Sequence, residues 1–215
     1  TSTNASSGFR ADIQGMRAVA VLAVLVLGAC WHCIRLVVQV RQLQRLYRQS
    51  QPVPRAALFS SNDPSDPQLE PDPRLTMIEI RRHDLALSPF IFGGRQAVLM
   101  LPGYYWQFNN QQRALLLAHE LCHWQRRDPW QLFGWRLVVA LGWFNPALRY
   151  FERLFSKAME LTVDREVLAA QPEQALLYGQ TLLRSLKLSM ANGSRLCGAT
   201  ASCWSNAPQL CLISH

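Results

Sequence analysis

Two histidines and a glutamate occur at the spacing H-E-x-x-H, as His119, Glu120 and His123. On a helix, residues four positions apart lie on one face, so both imidazoles can bind the same metal ion. Glu120 lies beside the first histidine, where it can act as a general base toward water activated by that metal. The chain contains only 5 histidines, which makes chance a less attractive explanation of this spacing. The motif predicts a Zn²⁺ site that hydrolyses peptide bonds.

A catalytic zinc ion needs a third protein ligand in addition to the two histidines. Glu160 is the candidate, because it lies between apolar neighbours in the run KAMELTVDREVL and is followed four residues later by Asp164. We predict that His119, His123 and Glu160 bind the metal. Asp164, one helical turn after Glu160, is predicted to hold a ligating imidazole by its other ring nitrogen.

Four other side chains come into question near this chemistry. Cys122 lies inside the motif, but helix geometry directs it away from the ligand face, and we predict that it packs in the core. The transition state would need a further hydrogen-bond donor, for which a tyrosine is suited. Tyr104, Tyr105 and Tyr178 are candidates, and the sequence does not select among them.

The segments that must hold these residues are mostly helical. Asn109 or Asn110 is a suitable N-cap for a helix that carries the motif. Further helices are predicted over residues 130–144, 145–170 and 172–190. The first of them is apolar enough to lie either in the core or at a membrane.

Two short apolar runs before the motif helix are predicted strands, at residues 75–80 and 97–102. Gly93 and Gly94 supply a turn ahead of the second run. Two such strands before a long helix indicate a small antiparallel sheet that backs the helical site. The predicted fold class is therefore α+β, mostly helical, with a small antiparallel sheet.

No charged residue occurs over residues 18–34, a length at the short edge of a transmembrane helix. Basic residues follow this run, at Arg35, Arg41, Arg45, Arg48 and Arg55. Because cytoplasmic flanks of membrane helices are rich in arginine, we predict a transmembrane helix with a cytoplasmic extension over residues 18–50. The alternative is a buried core helix. The same flank explains the net charge of +8, and direct nucleic-acid binding is not expected.

The rest of the chain divides by composition. Residues 1–17 begin with small polar side chains and are predicted to be disordered or to lie on the outer side of the membrane. Residues 51–74 contain six prolines and are predicted to form a linker. Residues 75–190 form the predicted zinc metallopeptidase domain, and residues 191–215 a tail without structure. The scattered cysteines favour a reducing compartment over a disulfide framework.

Three runs resemble one known family. AHELCHWQRRDPW, WFNPALRYFERL and ELTVDREVL are similar to segments of the membrane sensor-transducer metallopeptidases of the BlaR/MecR type. SPFIFGGRQAVLMLP and LVLGACWHCIRLVVQVRQLQRLYR are similar to the stretches that precede the zinc helix in that family. The resemblance covers roughly residues 21–190.

This resemblance implies a gluzincin-like zinc domain on the cytoplasmic side of a bacterial inner membrane. It also implies metal binding by His119, His123 and Glu160. Asp164 matches the acidic position after the third ligand, and Asp128 matches the aspartate after the zinc helix. The implied substrate is a cytoplasmic regulator, such as a transcriptional repressor, or the chain itself, and the implied surroundings include membrane lipid.

The sequence also departs from the family pattern. Members have several membrane helices ahead of the zinc domain and sensor forms have a further domain after it, whereas one span is predicted here. The start, FRADIQGMRAVAVLAV, resembles that of membrane acyltransferases that modify cell-surface sugars. A truncated or rearranged chain is therefore expected. The alternative function is a non-catalytic, zinc-binding membrane regulatory module or a truncated remnant.

Overall fold

Our computed structural model describes residues 2–60, 66, 69–70, 72–85, 87–93 and 96–197, with side chains between residues 14 and 191 of those ranges. In order, its elements are α1 Ser2–Gln49, β1 Gln51–Pro52, β2 Ile78–His83, β3 Phe90–Gly93, β4 Ala97–Pro102, α2 Asn110–Gln125, α3 Asp128–Leu141, α4 Pro146–Ala170 and α5 Ala175–Cys197. Short 3₁₀ segments lie at Arg55–Ala57, Pro73–Met77, Gly103–Gln107 and Pro172–Gln174. The prediction of a mostly helical chain with a small sheet is confirmed.

The sheet is mixed, so the prediction of an antiparallel sheet is wrong. Its strand order is β1-β2-β4-β3, in which β1 pairs antiparallel with β2 and β3 antiparallel with β4. β4 nevertheless runs parallel to β2, with Ile78 opposite Ala97. Every residue of β4 is buried, as expected for a central strand that is covered on both faces. The chain leaves β3 for the turn before β4 at Gly93, whose positive φ of 100° suits glycine. Gly94, which was also predicted in this turn, lies outside the described residues.

The main core lies between this sheet and one face of α2. Leu99 and Leu101 of β4 pack in one cluster with Leu117 and Leu121 of α2. Leu58, from the segment predicted as a proline-rich linker, is fully buried in the same cluster. The described part of that segment is therefore built into the domain, because its apolar side chains find a place on the sheet.

Among the helices of the described residues, α1 is the one that is long and apolar enough to cross a membrane. The stretch that meets this condition is Gln14–Gln49. No residue of its most apolar 18-residue stretch is buried in the structure. The helix begins at Ser2, whereas the sequence predicted a disordered or external segment over residues 1–17. No proline interrupts that segment, so the helical hydrogen bonds continue through it.

The carboxyl end of α1 is fixed to the sheet. Leu46 packs in a cluster with Val98 and Met100 of β4. The Tyr47 hydroxyl donates a hydrogen bond to the Glu79 carboxylate at 3.0 Å, and the Arg81 guanidinium lies 4.3 Å from the centroid of the Tyr47 ring. These contacts join the apolar helix rigidly to the domain that carries the H-E-x-x-H motif.

The last helix, α5, extends to Cys197, seven residues beyond the predicted domain boundary at residue 190. The predicted tail is therefore helical at its start, where MANGSRLC continues the helix with no proline to end it. The rest of that tail, residues 198–215, lies outside the described residues.

His83, at the end of β2, makes the domain sensitive to acid. Its side chain is 4% exposed beside the Phe90 ring, and burial lowers its pKa from 6.5 to about 4. The folded state therefore disfavours protonation, and stability is lost as the pH falls from 6.5 toward 4. When the pH falls from 7.5 to 5, we expect the free energy of unfolding of His83→Leu to fall by about 2 kcal/mol less than that of the parent chain. Denaturant unfolding in detergent at both pH values measures this, and equal acid losses in the two chains would contradict it.

Candidate metal centre

Helix α2 carries the H-E-x-x-H motif and has a well-defined start. Asn109 is its N-cap and forms a capping box with Gln112: the Asn109 side chain accepts a hydrogen bond from the Gln112 N–H at 2.8 Å. The Gln112 side chain in turn accepts from the Asn109 N–H at 3.3 Å. Reciprocal bonds of this kind satisfy two of the free donors at a helix start and fix where the helix begins.

Three ligand atoms from α2 and α4 converge on one point. The Nε2 atoms of His119 and His123 lie 3.2 Å apart, and each lies 3.6 Å from Oε2 of Glu160. Ligand atoms around a tetrahedral zinc ion with bonds of 2.0–2.1 Å lie about 3.3 Å apart. The chemistry of these donors and their separations therefore fit a divalent metal such as zinc.

The outer nitrogen of His119 is held by Tyr178 and Asp164. Nδ1 lies 2.7 Å from the Tyr178 hydroxyl and 3.5 Å from Oδ1 of Asp164. The Tyr178 hydroxyl donates to the same Asp164 oxygen at 2.6 Å. Since that hydroxyl gives its proton to Asp164, it accepts from Nδ1–H of His119, which leaves the Nε2 lone pair directed at the metal position. Asp164 thus acts on His119 largely through a tyrosine of α5.

Asp128 holds the outer nitrogen of His123. Its Oδ2 lies 2.8 Å from Nδ1 of the imidazole, and its side chain is 3% exposed. The chain reaches this position through Arg127, whose φ of 58° is left-handed and turns the backbone sharply between α2 and α3. Arg126 lies 3.5 Å from the same Asp128 oxygen. From the sequence, Asp128 was singled out only because it matches an aspartate of the resembling family, and no contact of its side chain was predicted.

Charge complementarity ties these groups together. Burial raises the pKa of Glu160, but the imidazoles of His119 and His123 outweigh it and hold that pKa at about 2. Burial likewise lowers the pKa of His119, but Asp164 and Glu160 raise it to about 9. A bound cation would have to displace protons from such basic rings, so metal binding and proton release are coupled.

Glu120 is in a different environment from the other carboxylates. It is 9% exposed, and burial raises its pKa to about 7 despite the nearby imidazoles. The backbone of Ile91 in β3 partly offsets this effect, because it favours the charged carboxylate. A carboxylate with a pKa near neutrality can both take up and release a proton at physiological pH, as a general base requires.

A cleft of about 410 Å³ opens beside these residues, between α1, β3, α3 and α4. His119, Glu120 and Glu160 line one side of it. Its apolar lining includes Leu36, Val40, Leu43, Phe90, Phe92 and Phe133. The long apolar helix therefore forms a wall of the candidate site, which the sequence did not predict.

None of the three candidate tyrosines lines this cleft. The Tyr104 hydroxyl donates to the Leu87 carbonyl at 3.0 Å, and Tyr105 is fully buried in the main core. Tyr178 lies on the outer side of His119.

Cys122 lies in the core between α2 and α4, with Sγ 3.1 Å from Oε2 of Glu166, and is not part of the ligand group.

Two imidazoles and a carboxylate, with a buried glutamate beside them, form a donor set suited to a metal-dependent hydrolase. Residues 4–206 match the peptidase family described as BlaR1 peptidase M56, and because this match covers most of the chain, the protein belongs to that family. The chain is also similar to "Regulatory protein BlaR1" of Bacillus licheniformis, with 27% identity over 124 residues that make up 57% of this chain. It spans 21% of the length of that relative. The family resemblance predicted from the sequence is confirmed, and together with α1 it indicates a membrane protein.

Proposed function

We propose that the chain is a membrane-anchored, zinc-dependent endopeptidase with a gluzincin-like site. The observation that carries this proposal is the convergence of His119, His123 and Glu160 on one point, with Glu120 beside them in an apolar cleft. Two histidines of one helix and a glutamate of a later helix leave the fourth position of a tetrahedral zinc ion open, as catalysis requires.

The residues of the chain would share the work of hydrolysis with the ion. Zinc would supply a Lewis acid that polarises the peptide carbonyl and lowers the pKa of water. Glu120 takes a proton from the attacking water and passes it to the amine nitrogen of the leaving peptide. Burial of Glu120, which raises the pKa of its carboxyl, favours the protonated form that passes the proton on.

Strand β3 offers a binding surface for an extended peptide. It is the last strand of the sheet on the side of the cleft, and its outer edge has no strand partner among the described residues. A peptide that pairs with this edge would pass beside Glu120, because Ile91 of β3 and Glu120 line the same cleft. Main-chain pairing would give affinity, and the apolar side chains of the cleft would select apolar residues of the substrate.

The proposed substrate is a cytoplasmic regulator, such as a transcriptional repressor, or the chain itself. The relative at 27% identity is named a regulatory protein, which supports a role in signalling. The arginine-rich flank of α1 supports a cytoplasmic position for the zinc domain at a bacterial inner membrane.

A cleavage assay on the reconstituted chain tests this function. Purified protein in lipid vesicles would be incubated with a mixed peptide library, and the products read by mass spectrometry. We expect cleavage that a chelator abolishes and added zinc restores. Stoichiometric zinc without cleavage of any peptide, or of the chain itself, would contradict the enzyme and support the non-catalytic zinc-binding module instead.

Tyr178 should strengthen metal binding although it does not touch the metal position. Tyr178→Phe removes the hydroxyl that bridges His119 and Asp164 while keeping the aromatic ring that packs against Val163. We expect the zinc affinity to fall by about 10–100-fold, the usual effect of losing a partner of a ligating histidine. Competition with a coloured chelator measures this, with Tyr150→Phe, at an exposed position, as the matched control. An unchanged affinity would count against the bridge.

A further inference from the structure

Helix α3 and the start of α4 pack along the apolar helix α1. The indole N–H of Trp143, in the turn between α3 and α4, donates a hydrogen bond to the Leu25 carbonyl at 3.1 Å. Gly28 makes this approach possible, since a Cβ there would overlap the Trp143 ring. The ring of His32, one turn later on α1, stacks on Trp143 at 6.1 Å. The tip of the α3–α4 hairpin is thus held beside the apolar stretch of α1.

The position of Trp143 along α1 corresponds to the middle of a bilayer. Arg17 and Arg35 bracket the apolar run, and Leu25 lies between them. At 1.5 Å per residue, Leu25 is about 12 Å from Arg17 and about 15 Å from Arg35 along the axis. The hydrocarbon core of a bilayer is about 30 Å thick. If α1 spans the membrane, its neighbour Trp143 lies near the midplane.

The surface of the hairpin has the composition that this depth requires. No charged residue occurs over residues 137–148. The large apolar side chains exposed on the hairpin include Leu137, Val138, Leu141, Phe144, Phe151 and Leu154. Backbone groups of the turn are paired: Gly142 N–H donates to the Val138 carbonyl at 2.8 Å, and the Ala147 N–H donates to Asn145 Oδ1 at 3.0 Å. Backbone at membrane depth is tolerated only when its polar groups are satisfied in this way.

Charged side chains return about 10 Å from the tip along either helix, where long side chains can extend to the headgroups. Arg136 and Glu152 form an ion pair across the hairpin at 3.7 Å. A cavity of about 990 Å³ between α1, α3 and α4 opens at the same level. Basic residues that line it include Arg35, Arg149, Arg153 and Lys157. Such a basic cavity next to a membrane helix suits the phosphates of anionic lipids.

From these contacts we infer that the α3–α4 hairpin enters the hydrocarbon of the same bilayer as α1, as a re-entrant helical pair with its tip at Trp143. Lipid covers its apolar face, because that face carries large exposed apolar side chains, as α1 does. The metal cleft, which α1 and α3 both line, then opens at the membrane surface. Peptide segments close to the membrane would reach it most easily.

Spin-label accessibility in vesicles that contain anionic lipid tests this inference. Single cysteines would be placed at Val24 on α1, Phe144 on the hairpin and Leu176 on α5, which are 58%, 60% and 76% exposed. The six native cysteines would be replaced by alanine or serine, and retained zinc binding would verify the site. We expect labels at positions 24 and 144 to collide with oxygen and to be protected from a water-soluble nickel complex. The label at position 176 should show the reverse.

Each other outcome overturns the inference in a distinct way. Nickel accessibility at position 144 with protection at 24 would put the hairpin in water. Low accessibility to both reagents at position 144 would mean that protein, such as a second copy of the chain, covers it. Nickel accessibility at position 24 would remove the membrane span on which the inference rests, and with it the membrane anchor of the proposed function. Photolabelling of the unaltered chain with a membrane-partitioning carbene, mapped over residues 137–148, provides a second reading that needs no substitution.

Discussion

Replacement of Glu120 by glutamine is expected to lower kcat/KM for peptide cleavage by about 10²–10⁴-fold while zinc stays bound. Glutamine has nearly the same size as glutamate but cannot take up a proton from water. The proposed ligand atoms belong to His119, His123 and Glu160, so the proposed metal position keeps all its donors. Because Glu120 is buried and its pKa is raised to about 7, the neutral amide should also be tolerated in the folded protein.

The measurement pairs cleavage rates with metal content. Library peptides cut by the parent chain would be assayed with Glu120→Gln and with Glu173→Gln, a control at an exposed position outside the cleft. Both variants should contain one zinc ion per chain by elemental analysis, and only the control should cleave at the parental rate. Retained cleavage by Glu120→Gln would exclude the proposed base.

The three residues of the candidate metal site could be singled out from the sequence because each belongs to a local pattern. His119 and His123 share a face of one helix through a separation of four residues, and Asp164 follows Glu160 at the same separation. The structure brings the two helices together so that all three predicted ligand atoms meet. The cause is the apolar packing between α2 and α4, in which Cys122 and Val163 are buried.

The surroundings of the site could not be predicted in this way, because they come from distant parts of the chain. Tyr178 reaches His119 from 59 residues away, and no spacing distinguishes it from the buried Tyr104 and Tyr105. The wall that α1 contributes to the cleft depends on how a helix predicted as a membrane span docks on the sheet. Its docking contacts, such as Leu46 against Met100, have no periodic signal in the sequence.

The sheet was misjudged for a related reason. The two predicted strands, residues 75–80 and 97–102, correspond to β2 and β4, and the glycine turn between them was expected to make them antiparallel. That turn instead joins β4 to β3, a strand that was not predicted, in a hairpin. Nothing in the hairpin determines which of its strands joins the strand β2. β4 takes that place, with both faces buried, and therefore runs parallel to β2. This choice leaves β3 at the edge beside Glu120, so the topology that the sequence did not predict also creates the proposed peptide-binding edge.

Loss of Glu160 is expected to have the larger effect on the metal itself. Glu160→Ala removes the one anionic ligand and leaves two imidazoles, which is too few for a stable zinc site in protein. The drop in zinc affinity should exceed the 10–100-fold expected from losing an outer partner such as Tyr178. Glu160 is also a carboxylate that raises the pKa of His119 and His123, so its removal changes the charge balance of the whole group.

Elemental analysis and chelator competition on Glu160→Ala measure this effect, with Glu173→Ala as the matched control. Far-ultraviolet circular dichroism should give the parental helix content for both variants, since the Glu160 side chain is 30% exposed and its removal leaves no large cavity. Without bound zinc, Glu160→Ala should also fail to cleave peptides at any pH. Parental zinc affinity in Glu160→Ala would exclude Glu160 as the third ligand, and with it the proposed three-residue site.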